Sequence, residues 1–98
     1  MVKILAICGF GVGTSLILRM NIEKVLKENN LEAEVEHIDV TTAAGAAADL
    51  VVTSREIAGQ IENSFDVPVI VIDNFMNLDE IREKCIDPVK SMQKRQEE

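Results

Sequence analysis

The stretch VKILAICGFGVGTS, residues 2–15, decides the fold of this chain. It begins with an apolar run that ends at Cys8, and three alternating glycines then precede Thr14 and Ser15. A short apolar run bounded by glycines is typical of a strand buried on both faces of a sheet. Apolar residues recur at helical spacing after Ser15, so the stretch predicts a strand, a tight loop and a helix in succession.

The rest of the chain alternates between strand and helix patterns. Asn29-Asn30 is expected to end the first helix, because asparagine tolerates the left-handed conformation. Thr53 lies three residues before Glu56, a spacing that predicts a capping box at the start of the second helix. Pro88 is expected to kink or restart the last helix, with Asp87 as its new N-cap. The predicted elements are strand 2–7, helix 13–29, strand 32–37, a short helix or irregular crossover at 41–48, strand 49–52, helix 53–63, strand 67–72, a helix from residue 77 and a frayed tail at 94–98.

Strands separated by helices imply a parallel α/β sheet with helices on both faces. With four strands the expected order is 2-1-3-4, in a single three-layer, Rossmann-like domain that spans residues 1–98. In sheets of this kind, ligands bind beyond the carboxyl ends of the strands, where the winding direction changes. That point lies beside the first strand, so the glycine-containing loop after Cys8 is expected to occupy the ligand site.

Composition restricts the classes of function. The 98 residues carry 10 basic and 17 acidic side chains, for a net charge of −7, and the only aromatic residues are three phenylalanines. Neither a basic patch nor a base-stacking platform is expected, which argues against nucleic-acid binding. No apolar run approaches the roughly 20 residues that span a bilayer, and the N-terminus lacks a secretory signal. Two cysteines are too few to staple a small secreted fold, so a reduced, cytoplasmic domain is expected.

Cys8 and the loop after it form the candidate site. Glycines at 9, 11 and 13 let main-chain N–H groups turn inward, and the helix that Thr14 and Ser15 open adds free N–H groups and a positive dipole end. Such a loop favours a phosphate, and a helix N-terminus also stabilises a cysteine thiolate that faces it. A thiolate beside a bound phosphate predicts phosphoryl transfer through phosphocysteine. The plainer interpretation is a small buried thiol followed by a permissive turn.

Three related phosphate-binding loops do not fit this sequence. The nucleotide-binding loop needs a lysine after Gly13, and none is present. The dinucleotide fingerprint is degraded, although Asp39 stands where its ribose-binding acid would be. The cysteine phosphatase loop needs an arginine where Thr14 stands, so no guanidinium in the loop neutralises a hydrolytic transition state. A phosphoryl carrier fits best, and a cysteine phosphatase of the same topology and a non-catalytic anion-binding sensor domain stay open as alternatives.

Four other side chains carry weaker signals. His37 is the single histidine, but it lies in a predicted strand, where a structural role is favoured. Cys85 is expected to be a small hydrophobe on the core side of the last helix. Asp39 and Asp73 follow strands at the Cys8 edge of the sheet, and capping or turn roles are favoured for them because carboxylates repel phosphate.

Two segments carry a family resemblance: ILAICGFGVGTS (4–15) with LILRM (16–20), and ADLVVTS (48–54) with IAG (57–59). Through them and the order of its elements, the chain resembles the cytoplasmic IIB components of the bacterial phosphoenolpyruvate-dependent sugar phosphotransferase system. Within that system it is most similar to the L-ascorbate-specific IIB proteins of the ascorbate and galactitol group. The resemblance implies a four-stranded parallel sheet, like that of low-molecular-weight phosphatases, with no metal and no organic cofactor.

The resemblance also implies the roles of residues and partners. Cys8 is implied as the catalytic, phosphorylated residue, which takes a phosphoryl group from a histidine of the IIA component. It then passes the group to a sugar, L-ascorbate, held by the membrane-embedded IIC component. The protein itself is expected to be cytoplasmic and peripheral to that component, without inserting into the bilayer. The implied phosphoryl-binding loop comprises Gly9, Phe10, Gly11, Val12, Gly13, Thr14 and Ser15.

Phe10 departs from the asparagine that is frequent at this position in the family. A phenyl ring there could contact a partner or close over the loop. Exposed apolar residues around it are expected at a transient docking site. Met20 and Met76 are expected to be ordinary core or loop residues, unless Met76, which follows Phe75, belongs to a partner surface.

Overall fold

The computed structural model describes residues 1–9, 12–40, 47–61 and 63–97. Its elements are β1 (Val2–Cys8), α1 (Val12–Glu28), β2 (Ala33–Asp39), β3 (Leu50–Thr53), α2 (Arg55–Ile61), β4 (Val69–Val71) and α3 (Leu78–Glu97). The four strands are parallel and form one sheet in the order β2-β1-β3-β4. The predicted fold class and strand order are therefore confirmed.

β1 occupies an inner position because its side chains are almost all apolar and buried. It pairs with β2 on one side and with β3 on the other. Alternate side chains of a strand face opposite sides of the sheet, so β1 contributes to two separate clusters. Val2, Ile4 and Ala6 join the larger cluster, which α1 and α3 cover, and Leu5 and Ile7 join the smaller cluster, which α2 covers.

α1 ends in the manner that its asparagines predict. Asn30 has a φ of 56°, in the left-handed region. The N–H of Leu31 donates to the carbonyl of Leu26 at 2.9 Å, and the N–H of Asn30 donates to the carbonyl of Lys27 at 3.2 Å. These two bonds form a Schellman motif, which satisfies carbonyls at the helix end. The helical face predicted for α1 is also confirmed, since it buries Leu18, Ile22, Val25 and Leu26.

The N-cap of α2 differs from the predicted one. The N–H of Ile57 donates to the hydroxyl of Ser54 at 3.3 Å, so Ser54 caps the helix. Thr53 is instead the last residue of β3, and its hydroxyl donates to the carbonyl of Ile7 at 2.7 Å. The predicted capping box at Thr53 is wrong because β3 extends one residue further than expected and takes this side chain into the sheet.

α3 runs through Pro88 without interruption, so the predicted restart at Asp87 is wrong. Proline removes one main-chain donor from the helix, but the residues after it continue the buried stripe of the helix and hold it in place. That stripe consists of Ile81, Cys85, Val89 and Met92. The helix begins as predicted, with the side chain of Asn77 accepting a hydrogen bond from the N–H of Glu80 at 3.1 Å. It ends at Glu97 and includes most of the segment that was expected to fray.

The remaining boundaries move by one to three residues. β2 starts one residue later than predicted and extends to Asp39, and β4 is confined to Val69–Val71. Pro68 therefore lies just before β4, where its carbonyl accepts a hydrogen bond from the N–H of Val51 at 3.0 Å. The predicted crossover at 41–48 falls mostly outside the described residues.

Candidate functional site

Cys8 is the last residue of β1, at the carboxyl edge of the sheet. Its neighbours across the sheet are Asp39, which is level with it on β2, and Thr53, which is level with Ile7 on β3. Cys8 is 5% exposed, so little of it is accessible to a reacting group in this structure. The structure thus places the predicted nucleophile at the strand end where parallel α/β sheets bind ligands.

The loop after Cys8 leads directly into α1. The helix begins at Val12, one residue earlier than predicted, so Val12, Gly13, Thr14 and Ser15 belong to its first turn. N–H groups in the first turn of a helix have no partner within the helix, and they give this end a positive dipole. No acidic residue lies in the first turn to offset that dipole. The side chain of Ser15 is buried, and Phe10 and Gly11 lie outside the described residues.

Gly9 lies against the first turn of α2. A Cβ atom at this position would lie 2.7 Å from Cδ1 of Ile57, a separation that real Cβ atoms essentially never show. A side chain at residue 9 would therefore require Ile57 to shift, and glycine lets the start of the loop and the start of α2 pack closely without that shift. The sequence indicated a glycine-rich turn, but the steric need for Gly9 appears only once α2 is placed.

The two acidic residues singled out at this edge have different surroundings. Asp39 ends β2 beside Cys8 and is exposed. Asp73 follows β4 and accepts hydrogen bonds from Nη2 of Arg55, at 3.1 Å to Oδ1 and 3.4 Å to Oδ2. β3 separates β4 from β1, so Asp73 lies two strands away from Cys8.

A group of ion pairs that sequence reasoning missed anchors the end of β4. The carboxylate of Glu80 accepts hydrogen bonds from the N–H groups of Asp73, at 2.7 Å, and Asn74, at 3.0 Å. Nζ of Lys84 donates to the same carboxylate and to the carbonyl of Val71, both at 2.8 Å. The hydrogen bond from Lys84, followed by that from Asp73, lowers the pKa of Glu80 from 4.5 to about 2. The charged carboxylate of Glu80 thus joins α3 to the loop after β4 through hydrogen bonds.

His37 contacts α1, and Cys85 lies in the larger cluster. Nδ1 of His37 is 3.2 Å from Nη1 of Arg19, and since a guanidinium only donates, this ring nitrogen accepts the hydrogen bond. Arg19 in turn pairs with Glu23 along α1 at 3.4 Å. Cys85 is buried in the larger cluster, and burial raises the pKa of its thiol to about 12. The structural role expected for Cys85 is confirmed, and His37 has a partner that joins β2 to α1.

Exposed apolar side chains lie on the first half of α1 and in the loop before α3. Met20 is 58% exposed and Met76 is 68% exposed, so the expectation that Met20 could be a core residue is wrong. Leu16 and Ile17 are also exposed, one turn closer to Cys8. The side-chain amide of Asn21 donates to the carbonyl of Phe75 at 2.6 Å, which joins the loop carrying Met76 to α1. We call Leu16, Ile17, Met20 and Met76 the apolar rim of the site.

Neither a metal-binding cluster nor a membrane-spanning helix is found among the described residues. Across residues 1–9, 12–40, 47–61 and 63–97, no three His, Cys, Asp or Glu side chains come together in a way that could hold a metal ion. Among the helices described, none has the length and apolar character to cross a bilayer.

The structure is a parallel α/β domain with a cysteine at the carboxyl edge of its sheet. The sequence pattern of the family described as "PTS system, Lactose/Cellobiose specific IIB subunit" matches residues 3–85, most of the chain. The chain therefore belongs to this family of sugar phosphotransferase system IIB components.

Individual relatives agree with this assignment, and a solved structure shares the fold. The chain is 29% identical over 92 residues to the "Ascorbate-specific PTS system EIIB component" of Shigella sonnei, covering 92% of this chain and 91% of the relative. It is 28% identical over 82 residues to the protein of the same name from Mycoplasma pneumoniae, covering 82% of this chain and 86% of that one. A low-molecular-weight protein tyrosine phosphatase from Bacillus subtilis shares the fold, with a TM-score of 0.50, 12% identity and coverage of 98% of this chain and 95% of the other.

Proposed function

We propose that this IIB component is a phosphocysteine carrier and that Cys8 is its phosphorylated residue. The observation that carries the proposal is the position of Cys8, between the end of an inner strand and the loop that leads into α1, whose first turn carries no acidic residue. Free N–H groups at a helix start favour both a thiolate and a phosphoryl group. Cys85, with its buried side chain and raised pKa, is not a competing nucleophile.

The proposed reaction has two displacements. In the first, the Cys8 thiolate attacks the phosphorus of a phosphohistidine on the IIA component; the S–P bond forms, the P–N bond breaks, and the imidazole nitrogen keeps the electron pair. In the second, a sugar hydroxyl held by the membrane IIC component attacks the phosphorus. The O–P bond forms, the S–P bond breaks, the hydroxyl proton is released, and the thiolate is regenerated. Residues 9–15 hold the phosphoryl oxygens through main-chain N–H groups in both steps.

The proposed sugar is L-ascorbate. Support comes from the relatives in Shigella sonnei and Mycoplasma pneumoniae, whose names specify ascorbate. The family description instead specifies lactose and cellobiose. We favour ascorbate because each pairwise similarity extends over most of both chains.

We also propose that the protein works in the cytoplasm, peripheral to the IIC component, and that its partners dock on the apolar rim. Cys8 is almost completely buried, so a protein donor must press against the edge of the sheet to reach it. Exposed methionines suit a surface that must accept two different partners in turn, because their flexible side chains adapt to more than one shape.

The test is the intact mass of the protein after incubation with phosphoenolpyruvate, the general phosphotransferase proteins and a IIA component. One phosphoryl adduct is expected on the wild type, absent from Cys8→Ser and retained by the matched control Cys85→Ala. Adding membranes with a IIC component and ascorbate should then remove the adduct and yield a phosphorylated sugar. Catalytic hydrolysis of an aryl phosphate would favour a phosphatase instead. A phosphoryl adduct on Cys8→Ser would contradict the carrier proposal. So would the absence of an adduct on the wild type after incubation with a phosphorylated ascorbate-specific IIA component.

A further inference from the structure

Arg55 begins α2 at the carboxyl edge of the sheet, between the ends of β1 and β4. β3 lies between those two strands, and Arg55 follows it after the single residue Ser54. The end of β3 is tied to β1, since Thr53 is level with Ile7 and donates to its carbonyl at 2.7 Å. Neighbouring strands lie about 4.8 Å apart. The strand that leads into Arg55 therefore lies one strand spacing from the Cys8 strand on one side and from β4 on the other.

The side chain of Arg55 is free to change partners. It is 75% exposed, and its contact is with Asp73 on the β4 side. Exposed ion pairs of this kind contribute about 0–1 kcal/mol, so little holds the guanidinium in place. Asp73 keeps a cation nearby without it, because Nζ of Lys84 is 3.9 Å from Oδ2. Moving Arg55 away from Asp73 leaves the anchor at the end of β4 intact.

Phosphorylation of Cys8 changes the electrostatics of this edge. A phosphoryl group adds a charge of roughly −1.5 to −2 at neutral pH. It would form beside Asp39, in a chain whose net charge is already −7. Lys84 is committed to the Glu80 carboxylate and the Val71 carbonyl, both at 2.8 Å. Arg55 is an exposed cation at this edge of the sheet, and a guanidinium fits phosphoryl oxygens with two parallel hydrogen bonds.

We infer that Arg55 is a phosphoryl-binding residue of the phosphorylated protein. When Cys8 carries a phosphoryl group, the guanidinium leaves Asp73 and donates hydrogen bonds to the phosphoryl oxygens. Arg55 thereby supplies, from α2, the positive charge that the loop itself lacks. The Arg55 side chain therefore lies in different places in the unphosphorylated and the phosphorylated protein. The IIA component, which donates the phosphoryl group, and the IIC component, where it is accepted, thus meet different surfaces. The inference rests on the proposed function, because it requires phosphocysteine at Cys8.

The test measures the last ionisation of the phosphocysteine by ³¹P nuclear magnetic resonance as a function of pH. Wild type, Arg55→Gln and Arg55→Lys are phosphorylated through the IIA component, with Arg82→Gln as the matched control. Arg82 is also an arginine in surface ion pairs, but on α3 with Glu28 and Asp79 as partners. A nearby guanidinium favours the dianion, so Arg55→Gln is expected to lower the ionisation constant by about two- to fivefold. Arg55→Lys should lower it less, and Arg82→Gln should match the wild type.

A second measurement follows the side-chain Nε–H resonance of Arg55 in the wild type. It is expected to shift on phosphorylation, and the shift should be absent when Cys8→Ser is given the same treatment. Equal ionisation constants in wild type and Arg55→Gln, or equal changes in Arg55→Gln and Arg82→Gln, would overturn the inference while leaving the carrier function standing. A wild type that takes up no phosphoryl group would overturn the proposed function, and this inference with it.

Discussion

Replacing Gly9 with alanine tests how closely the Cys8 loop packs against α2. The new Cβ would lie 2.7 Å from Cδ1 of Ile57, well inside the optimum of about 3.5–4.0 Å for two carbon atoms. Ile57 is 5% exposed and packs in the smaller cluster, so a shift of its Cδ1 changes the contacts that it makes there. The backbone at Gly9 lies outside the left-handed region, so the penalty is steric and not conformational.

The expected loss of stability follows from two opposing effects. Overpacking a core typically costs about 1–3 kcal/mol. Alanine also lowers the conformational entropy of the unfolded chain, which stabilises the folded protein by about 0.4–1 kcal/mol. The net loss for Gly9→Ala is therefore expected at about 1–2 kcal/mol. Ile57→Val removes Cδ1 and leaves Cγ1, which lies 3.7 Å from the position of the new Cβ, an ordinary contact distance. In the Ile57→Val background, Gly9→Ala should change the free energy of unfolding by less than about 0.5 kcal/mol.

The assay is urea unfolding of the wild type, the two single variants and the double variant. Ile57→Val alone is expected to lose about 0.5–1.5 kcal/mol, and the double variant should be about as stable as Ile57→Val. A double-mutant cycle then gives a coupling of about 1 kcal/mol or more. Additive losses in the cycle, or an unchanged free energy of unfolding for Gly9→Ala, would refute the reasoning.

Two further predictions concern the anchor at β4 and the apolar rim. Glu80→Gln is expected to lose about 1–2 kcal/mol at pH 7, because a charged acceptor of two N–H groups and a lysine is removed. Since the folded protein holds the pKa of Glu80 at about 2, the carboxylate stabilises it above pH 4.5 and this contribution disappears as the pH falls towards 2. Urea unfolding at pH 7, 4 and 2.5 should show that the difference in free energy of unfolding between wild type and variant decreases as the pH falls. A difference that stays constant would contradict the stabilising role of the Glu80 carboxylate. Met20→Lys and Met76→Lys should slow phosphoryl uptake from the IIA component by about fivefold or more without changing the urea midpoint, whereas Gln60→Lys, on exposed α2 surface, should have no effect. Unchanged uptake in both methionine variants would remove the rim as a docking surface.

Local patterns were sufficient to predict the sheet and the place of Cys8 in it. The apolar run at 2–7, ended by glycines, predicts an inner strand followed by a loop, and the alternation of elements predicts the strand order. Asn30 illustrates the same point at smaller scale, since its tolerance of the left-handed region ends α1 where expected. These features depend on short stretches of chain, which is why sequence alone reveals them.

Features that depend on tertiary contacts were predicted poorly or missed. Thr53 and Ser54 are both good N-caps, and the extent of β3 decides between them. Pro88 was expected to disrupt α3, but burial of the residues after it outweighs the missing donor. Arg55 and Asp73 are 18 residues apart and meet only because β3 and β4 are adjacent. The exposure of Met20 could not be predicted from helical spacing. The spacing identifies the buried face of the helix, but it does not show which residues outside that face are covered by neighbouring elements.

The unequal clusters on the two faces of the sheet have a consequence for native-state fluctuations. α1 and α3 cover the larger cluster with long helices, whereas the seven-residue α2 covers the smaller one. Opening free energies differ between such regions, and short helices over small clusters lie at the low end. The amide hydrogens of α2 should therefore exchange with solvent through a partial opening, and faster than those of α1 and α3. Because Gly9 rests on Ile57, each such opening loosens the start of the Cys8 loop while the helix that holds its other end stays folded.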